Sequence, residues 1–162
     1  MIGYMSLEEQ VEADFSRARW RAFFRRMGAR LRKDPISDRL PCFEEVRKKL
    51  GAVGRVHLGR RAVRVEEIAG SVGRCSEFDR AFLPAKASMG ERWKRVDRAF
   101  HRGEELSPVS VYKIGGSYFV ADGNHRVSVA RYHGVETINA VVTEFRAYRR
   151  RAAGIGVARS TT

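Results

Sequence analysis

The sequence predicts an α+β domain, a mixed sheet carrying helices behind a helical N-terminal extension. Three observations predict it. Residues 109–145 read as strand, glycine turn, strand, polar turn, helix and strand in succession. Two Ser-x-x-Glu stretches, Ser6-Leu7-Glu8-Glu9 and Ser88-Met89-Gly90-Glu91, open runs with apolar residues three and four apart, the pattern of a capped amphipathic helix. Residues 55–65 alternate apolar and polar, the period of a half-buried strand.

Taken in order, the first long helix is expected from Ser6, its N-cap, to about Lys33. Asp34 precedes Pro35 and is pushed out of the helical region. Its apolar positions are Val11, Phe15, Trp20, Phe23, Phe24, Met27 and Leu31. The start is acidic, and the stretch from Arg17 to Lys33 holds basic residues and no acid, an order that suits the helix dipole. Three readings fit this basic face, on which Arg25, Arg26 and Arg30 lie: a solvated surface, a nucleic-acid contact, or an anionic membrane surface. A second helix is expected over Pro41–Leu50, with Phe43, Val46 and Leu50 inward and Gly51 as its stop.

The glycines at 51 and 54 mark a boundary. It divides the chain into an extension (1–54), a domain (55–146) and a basic tail (147–162) that includes Arg149, Arg150 and Arg151. Arg55–Val65 is expected to fold as a hairpin turning at Gly59-Arg60, with His57 exposed. Ser76–Phe82 reads as a short helix ended by Leu83-Pro84. The helix opened by Ser88 carries Met89, Trp93, Val96 and Phe100 as a core stripe and stops at Gly103. Ser107-Pro108 leads into the strand of Val109, Val111 and Ile114. Gly115-Gly116 permits a tight turn, and Tyr118-Phe119-Val120 returns. Asp122 or Asn124 would cap the next helix, whose Val127 and Ala130 share a face and whose C′ position fits Gly134. Ile138–Phe145 closes the unit as a strand.

Composition bounds the function. The chain has 162 residues, a formal net charge of +13 and a pI near 10.6. Such a charge favours polyanions such as DNA, RNA or nucleotides; an arginine-rich coding bias is the competing explanation. Two cysteines and no apolar leader point to a reduced, cytoplasmic protein without structural disulfides. No apolar run is long enough for a transmembrane helix. No repeat, zinc-finger spacing, Walker loop or G-x-S-x-G elbow occurs. His101 and His133 fall near helix ends, where they complement the dipole, and no metal-binding spacing joins them.

The chemistry concentrates in Asp122-Gly123-Asn124-His125-Arg126. A strand runs into a glycine-containing turn, and a helix begins there. Such a turn aims backbone N–H groups and the positive end of a helix dipole at one point, which suits phosphate. Gly123 lets the backbone come close, Arg126 offers a fork of donors, and His125 can donate a hydrogen bond or move a proton. Asp122 can hold Mg2+ through water, orient His125 or cap the helix. A carboxylate alone does not make a two-metal nuclease site.

This motif, followed by Val-Ser-Val-Ala-Arg, resembles the signature of the ParB/sulfiredoxin-like superfamily over about residues 62–145. Its members include the N-terminal domain of ParB chromosome-partitioning proteins, sulfiredoxins and an archaeal free-serine kinase. The resemblance implies that the turn and helix bind the phosphates of a nucleotide (CTP, ATP or ADP), with Mg2+. Gly123 and Arg126 match residues that ParB proteins and sulfiredoxins share, and His125 matches the His before that Arg in sulfiredoxins and the kinase. Asn124 stands where sulfiredoxin has its reactive Cys, so sulfiredoxin activity is not expected. In ParB-like domains a loop ending in Arg follows the opening strand, which makes Arg74 a candidate second phosphate contact; a solvated loop Arg is the other reading. Where ParB carries a helix-turn-helix domain, only the basic tail follows.

The function implied is a ParB-like nucleotide-binding protein, hydrolysing its nucleotide, on or near DNA. The alternatives are a small-molecule phosphotransferase like the serine kinase, or a nuclease. A phosphotransferase needs a general base near its acceptor, and Glu66 and Glu67 are the carboxylates nominated for it.

Overall fold

The computed structural model describes residues 3–34 and 38–147. The expected tail contacts at Arg149, Arg150 and Arg151 lie outside the described residues.

Helix α1 (Leu7–Leu31) starts at the predicted capping box. Ser6 Oγ accepts from the Glu9 N–H, and Glu9 accepts from the Ser6 N–H. Its apolar stripe holds only in part. Val11 and Phe15 are buried with Ala18, Ala22 and Ala29, whereas Trp20, Phe23, Phe24, Met27 and Leu31 are exposed. The alanines form the docking face because small side chains let two helices approach closely. Helix α2 (Phe43–Leu50) ends at Gly51 in the left-handed conformation, φ +60°. Phe43 is buried as expected, but Leu50 is exposed.

Strand β1 (Ala52–Arg64) corrects the expected hairpin. It is one strand that pairs antiparallel with β5 (Thr137–Ala147) from Ala52↔Ala147 to Arg64↔Thr137. Gly59, φ +74°, sits at a register shift between His57 and Gly59. Given so long a partner, the glycine bends the strand as a bulge instead of reversing it. His57 is exposed, as read. A 3-10 turn (Val65–Glu67) then leads into β2 (Ile68–Ser71).

The expected helix over Ser76–Phe82 does not form. Asp79 Oδ1 accepts the N–H groups of Ala81 and Leu83, both at 2.9 Å. An aspartate that takes local backbone donors competes with a helix for them. The second capping box is also absent. A 3-10 turn (Ala87–Met89) contains Ser88, and α3 (Gly90–His101) follows Met89 with no side-chain cap. Of the expected stripe, Met89 in the 3-10 turn and Trp93 are buried and Val96 is half-buried, but Phe100, in the last turn of α3, is exposed.

Strands β3 (Val109–Ile114) and β4 (Ser117–Asp122) form the predicted hairpin through Gly115, φ +60°. Helix α4 (Asn124–Tyr132) follows, and Gly134, φ +70°, lies past its end as expected. The sheet order is β1-β5-β3-β4-β2. β5 is parallel to β3, β2 is parallel to β4, and the other pairs are antiparallel.

Alternation divides the sheet residues between two faces. Val109, Val111, Val120, Ala140 and Val142 pack with Val127 of α4. Ile114 and Phe119 pack on the other side with Phe43 of α2. Phe15, Ala18, Ala22, Trp93 and Val129 join α1, α3 and α4.

The cysteines correct a further expectation. Cys42 and Cys75 are bonded, with Cα atoms 5.5 Å apart and a sequence separation of 33. The bond ties the residue before α2 to the loop after β2. For a loop of that length, chain entropy gives about 3–4 kcal/mol of stabilisation. Nothing local in a 33-residue spacing announces the pair, and the argument for a cytoplasmic location from unpaired thiols falls away. Among the described residues, no helix is long and apolar enough to cross a membrane.

Candidate functional site

The motif lies where β4 ends and α4 begins. Gly123 is the residue before the helix, with φ +97°. Glycine is required there twice over. An L side chain rarely adopts that φ, and a Cβ would meet Val109 Cγ1 at 2.6 Å and Arg126 Nη2 at 2.9 Å. Neither Asp122 nor Asn124 caps the helix, because α4 has no side-chain cap. The first-turn N–H groups therefore keep their donors for an outside acceptor.

Asn124 points inward. It is buried, and its Oδ1 accepts from Ser71 Oγ at 2.8 Å. Ser71 Oγ in turn accepts from the Arg74 N–H at 3.1 Å. The asparagine in the sulfiredoxin cysteine position thus couples the motif to the loop that carries Arg74. The disulfide at Cys75 fixes that loop from the other side.

Arg126 is more committed than its sequence position suggested. Nη1 donates to the carbonyls of Ser107 and Pro108, the latter at 3.0 Å, and Nη2 donates to Asp122 at 3.0 Å. These bonds pin the motif to the chain leading into β3. A guanidinium has five N–H donors, so some remain for a ligand. Asp122 is exposed and paired with Arg126.

His125 is half-buried, with its ring against Phe78 at 5.4 Å between centroids. Its Nδ1 is buried without a hydrogen-bond partner among the described residues. Burial pushes its pKa down to about 4; Glu77 opposes this and the charges of Arg74 and Arg92 add to it. The ring is therefore neutral at pH 7 and offers a hydrogen bond, not a charge.

A cleft of about 370 Å³ opens over the motif. It is lined by Arg74, Arg92, Arg95, Asp122, Gly123, His125 and Arg126. A second cavity of about 300 Å³ shares Arg74, Arg92 and His125 and adds Glu77, Lys86 and Ser88. Arg74 donates to Glu77 at 3.0 Å. Arg92 and Arg95 are exposed and have no acidic partner among the described residues. The sequence reading passed over Arg92, Arg95 and Lys86. Arg92 and Arg95 are three residues apart, on the polar side of a helix read only for its apolar stripe. That spacing was the available signal.

The other nominated residues lie elsewhere. Glu66 and Glu67 are exposed on the 3-10 turn after β1, Glu66 is paired with Arg64, and neither lines the cleft. The turn that carries them lies beside the last turn of α4, away from the residues that line the cleft. There Arg131 donates to the neighbouring carbonyls of Val65 and Ile68. Arg25 is exposed and ion-paired with Asp38 at 3.2 Å and Asp79 at 3.1 Å. Arg26 and Arg30 are exposed. Another depression, of about 460 Å³, shares no lining residue with the motif cleft and lies against Phe15, Trp20, Phe23 and Lys94.

No family model and no curated protein matches the chain. Among solved structures, the chain is similar to sulfiredoxin from Arabidopsis thaliana. The two are 18% identical over 54% of this chain and 84% of that one, with a TM-score of 0.38.

Proposed function

We propose that the cleft at the start of α4 binds the phosphates of a nucleotide, CTP, ATP or ADP, and that the protein is a ParB-like nucleotide-binding protein acting on or near DNA. One observation carries this reading. The uncapped N-terminus of α4 opens into a cleft lined by Arg74, Arg92, Arg95 and Arg126, two of which have no acidic partner among the described residues. A helix N-terminus and convergent guanidinium groups both select an anion, and planar forks suit phosphate oxygens.

Within this reading, the N–H groups around Asn124 and His125 hold one phosphate, and Arg92 and Arg95 hold the next. His125, neutral, donates a hydrogen bond to a phosphate oxygen. Asp122 lines the same cleft, paired with Arg126, and its exposed carboxylate would hold Mg2+ through water. Hydrolysis of the nucleotide would use that ion to polarise the terminal phosphate. The phosphotransferase alternative has one observation in its favour. Glu77 lines the adjoining cavity beside His125 and Ser88, so a carboxylate stands near where an acceptor hydroxyl would lie.

The test is calorimetric titration of the full chain with CTP, ATP and ADP, with and without Mg2+. Saturable binding of at least one of them is expected, and it should weaken with Arg92→Ala. Failure of all three to bind, with and without Mg2+, would overturn the proposal. Phosphate release without an acceptor supports hydrolysis, and turnover only with an added hydroxyl compound supports transfer.

A further inference from the structure

At the opposite end of α4, three helices bring together four residues that the sequence keeps far apart. Asp14 comes from α1, Asp97 and His101 from α3, and His133 is the C-cap of α4. One ligand-type atom from each lies within 4.8 Å of all the others. His101 Nε2 is 2.8 Å from Asp14 Oδ2, and His133 Nε2 is 2.6 Å from Asp97 Oδ1. The crossed pairs are longer, at 3.5 Å for His101–Asp97 and 3.9 Å for His133–Asp14.

We propose that Asp14, Asp97, His101 and His133 bind a divalent metal ion, zinc by its ligand chemistry, that clamps α1 to α3 and α4. Four features argue for it. The ligand set is two imidazole nitrogens and two carboxylates, which suits a tetrahedral zinc with every position taken by protein. Zinc bonds of about 2.0–2.1 Å put tetrahedral ligand atoms roughly 3.4 Å apart, and the observed separations bracket that value. Asp97 is fully buried, yet its Oδ2 has no hydrogen-bond partner among the described residues. It lies 3.5 Å from His101 Nε2, too far and too poorly aligned for a hydrogen bond, so this buried carboxylate oxygen carries a desolvation cost that a cation would relieve.

The fourth feature is the support around the ligands. Tyr132 O–H donates to Asp14 Oδ1 at 2.9 Å, and the His133 ring stacks on Phe100 with centroids 4.1 Å apart. Such outer contacts fix ligand orientation before metal arrives. Asp97 and His101 are one turn apart on α3, so they share a face. In the metal-free protein, protons bridge the two short His–Asp pairs. Zinc would take the place of those hydrogen bonds, and the short contacts would open by roughly 0.6–0.8 Å to reach the tetrahedral separation.

The experiment strips the full-length protein with a chelator and titrates Zn2+ alone by calorimetry and thermal unfolding. One equivalent per chain should bind, and the melting temperature should rise with free Zn2+. Asp97→Asn and His133→Gln should each weaken binding at least about tenfold, while His57→Ala, on an exposed strand, should leave it unchanged. If those ligand variants do not fold, Co2+ added to the wild-type chain still decides. An intense visible band of four-coordinate cobalt supports the site, and a weak six-coordinate spectrum overturns it. Absence of one-equivalent binding, equal affinity in folded His133→Gln, or loss of binding in His57→Ala would also overturn it.

Discussion

The two ends of α4 hold opposite chemistry. At the start, an uncapped helix terminus faces Arg74, Arg92, Arg95 and Arg126. At the end, Asp14 and Asp97 face two histidines. A helix of nine residues keeps these regions about 13 Å apart. The helix dipole favours anions at the first end and cations at the second. A strongly basic chain therefore does not have a uniformly basic surface. Its acids are spent where they neutralise something specific, and the arginines of the cleft are left with few partners.

The comparison can be broken at its supports. The largest effect is expected from removing the disulfide. Cys42→Ser with Cys75→Ser should lower unfolding stability by about 3–4 kcal/mol in urea titrations. Nucleotide affinity should fall too, because the loop bearing Arg74 loses its anchor, while the Asp14–His133 cluster stays intact. An equal loss at both ends would mean that the ends are not independent.

Gly123→Ala comes next. A left-handed φ and the 2.6 Å approach to Val109 Cγ1 should cost about 1–3 kcal/mol of stability, and nucleotide binding should be lost by calorimetry. Arg92→Ala should weaken nucleotide binding about tenfold, since a charge-assisted hydrogen bond is worth roughly 1.5–3 kcal/mol. Its melting temperature should not move. Arg126→Ala should lower both affinity and stability, because Arg126 also holds the Ser107 and Pro108 carbonyls. A separation of this kind between Arg92 and Arg126 would sharpen the division between ligand contact and scaffold.

The smallest effect is a pH slope. His125 has a pKa near 4 in the fold against 6.5 when free, with burial as the main cause. Between those values the unfolded chain holds a proton that the folded chain lacks. Stability is therefore full above pH 6.5 and falls as pH drops toward 4. His125→Asn should flatten that part of the stability–pH curve by up to about one proton of slope. An unchanged curve would assign the acid sensitivity to other groups.

What could be read from the chain was mostly local. The Ser6 cap, the Gly115 turn, α4 and Gly134 each follow from residues within a few positions of one another, and each is in place. Some misreadings were local, as where Asp79 takes the N–H groups of a would-be helix, and others depended on a distant partner. Gly59 looked like a turn because β5, its partner about 80 residues on, was out of view. The bond between Cys42 and Cys75 depends on how α2 packs. Within the site, Gly123 and Arg126 were legible, but Arg92 and Arg95 belong to another helix. The Asp14–His133 cluster needs three helices folded together before it exists at all.

Trp93 has a consequence for watching these ends in solution. It is fully buried, donates to Ser128 Oγ at 2.9 Å, and packs against Phe15 and Tyr132. Ser128 is in the middle of α4, so the indole reads the helix between the two sites. The other tryptophan, Trp20, is exposed. In a Trp20→Phe chain, fluorescence would come from Trp93 alone, blue-shifted and shielded from iodide. A shift of that emission on adding nucleotide or zinc would be an optical measure of whether one end of the helix senses the other.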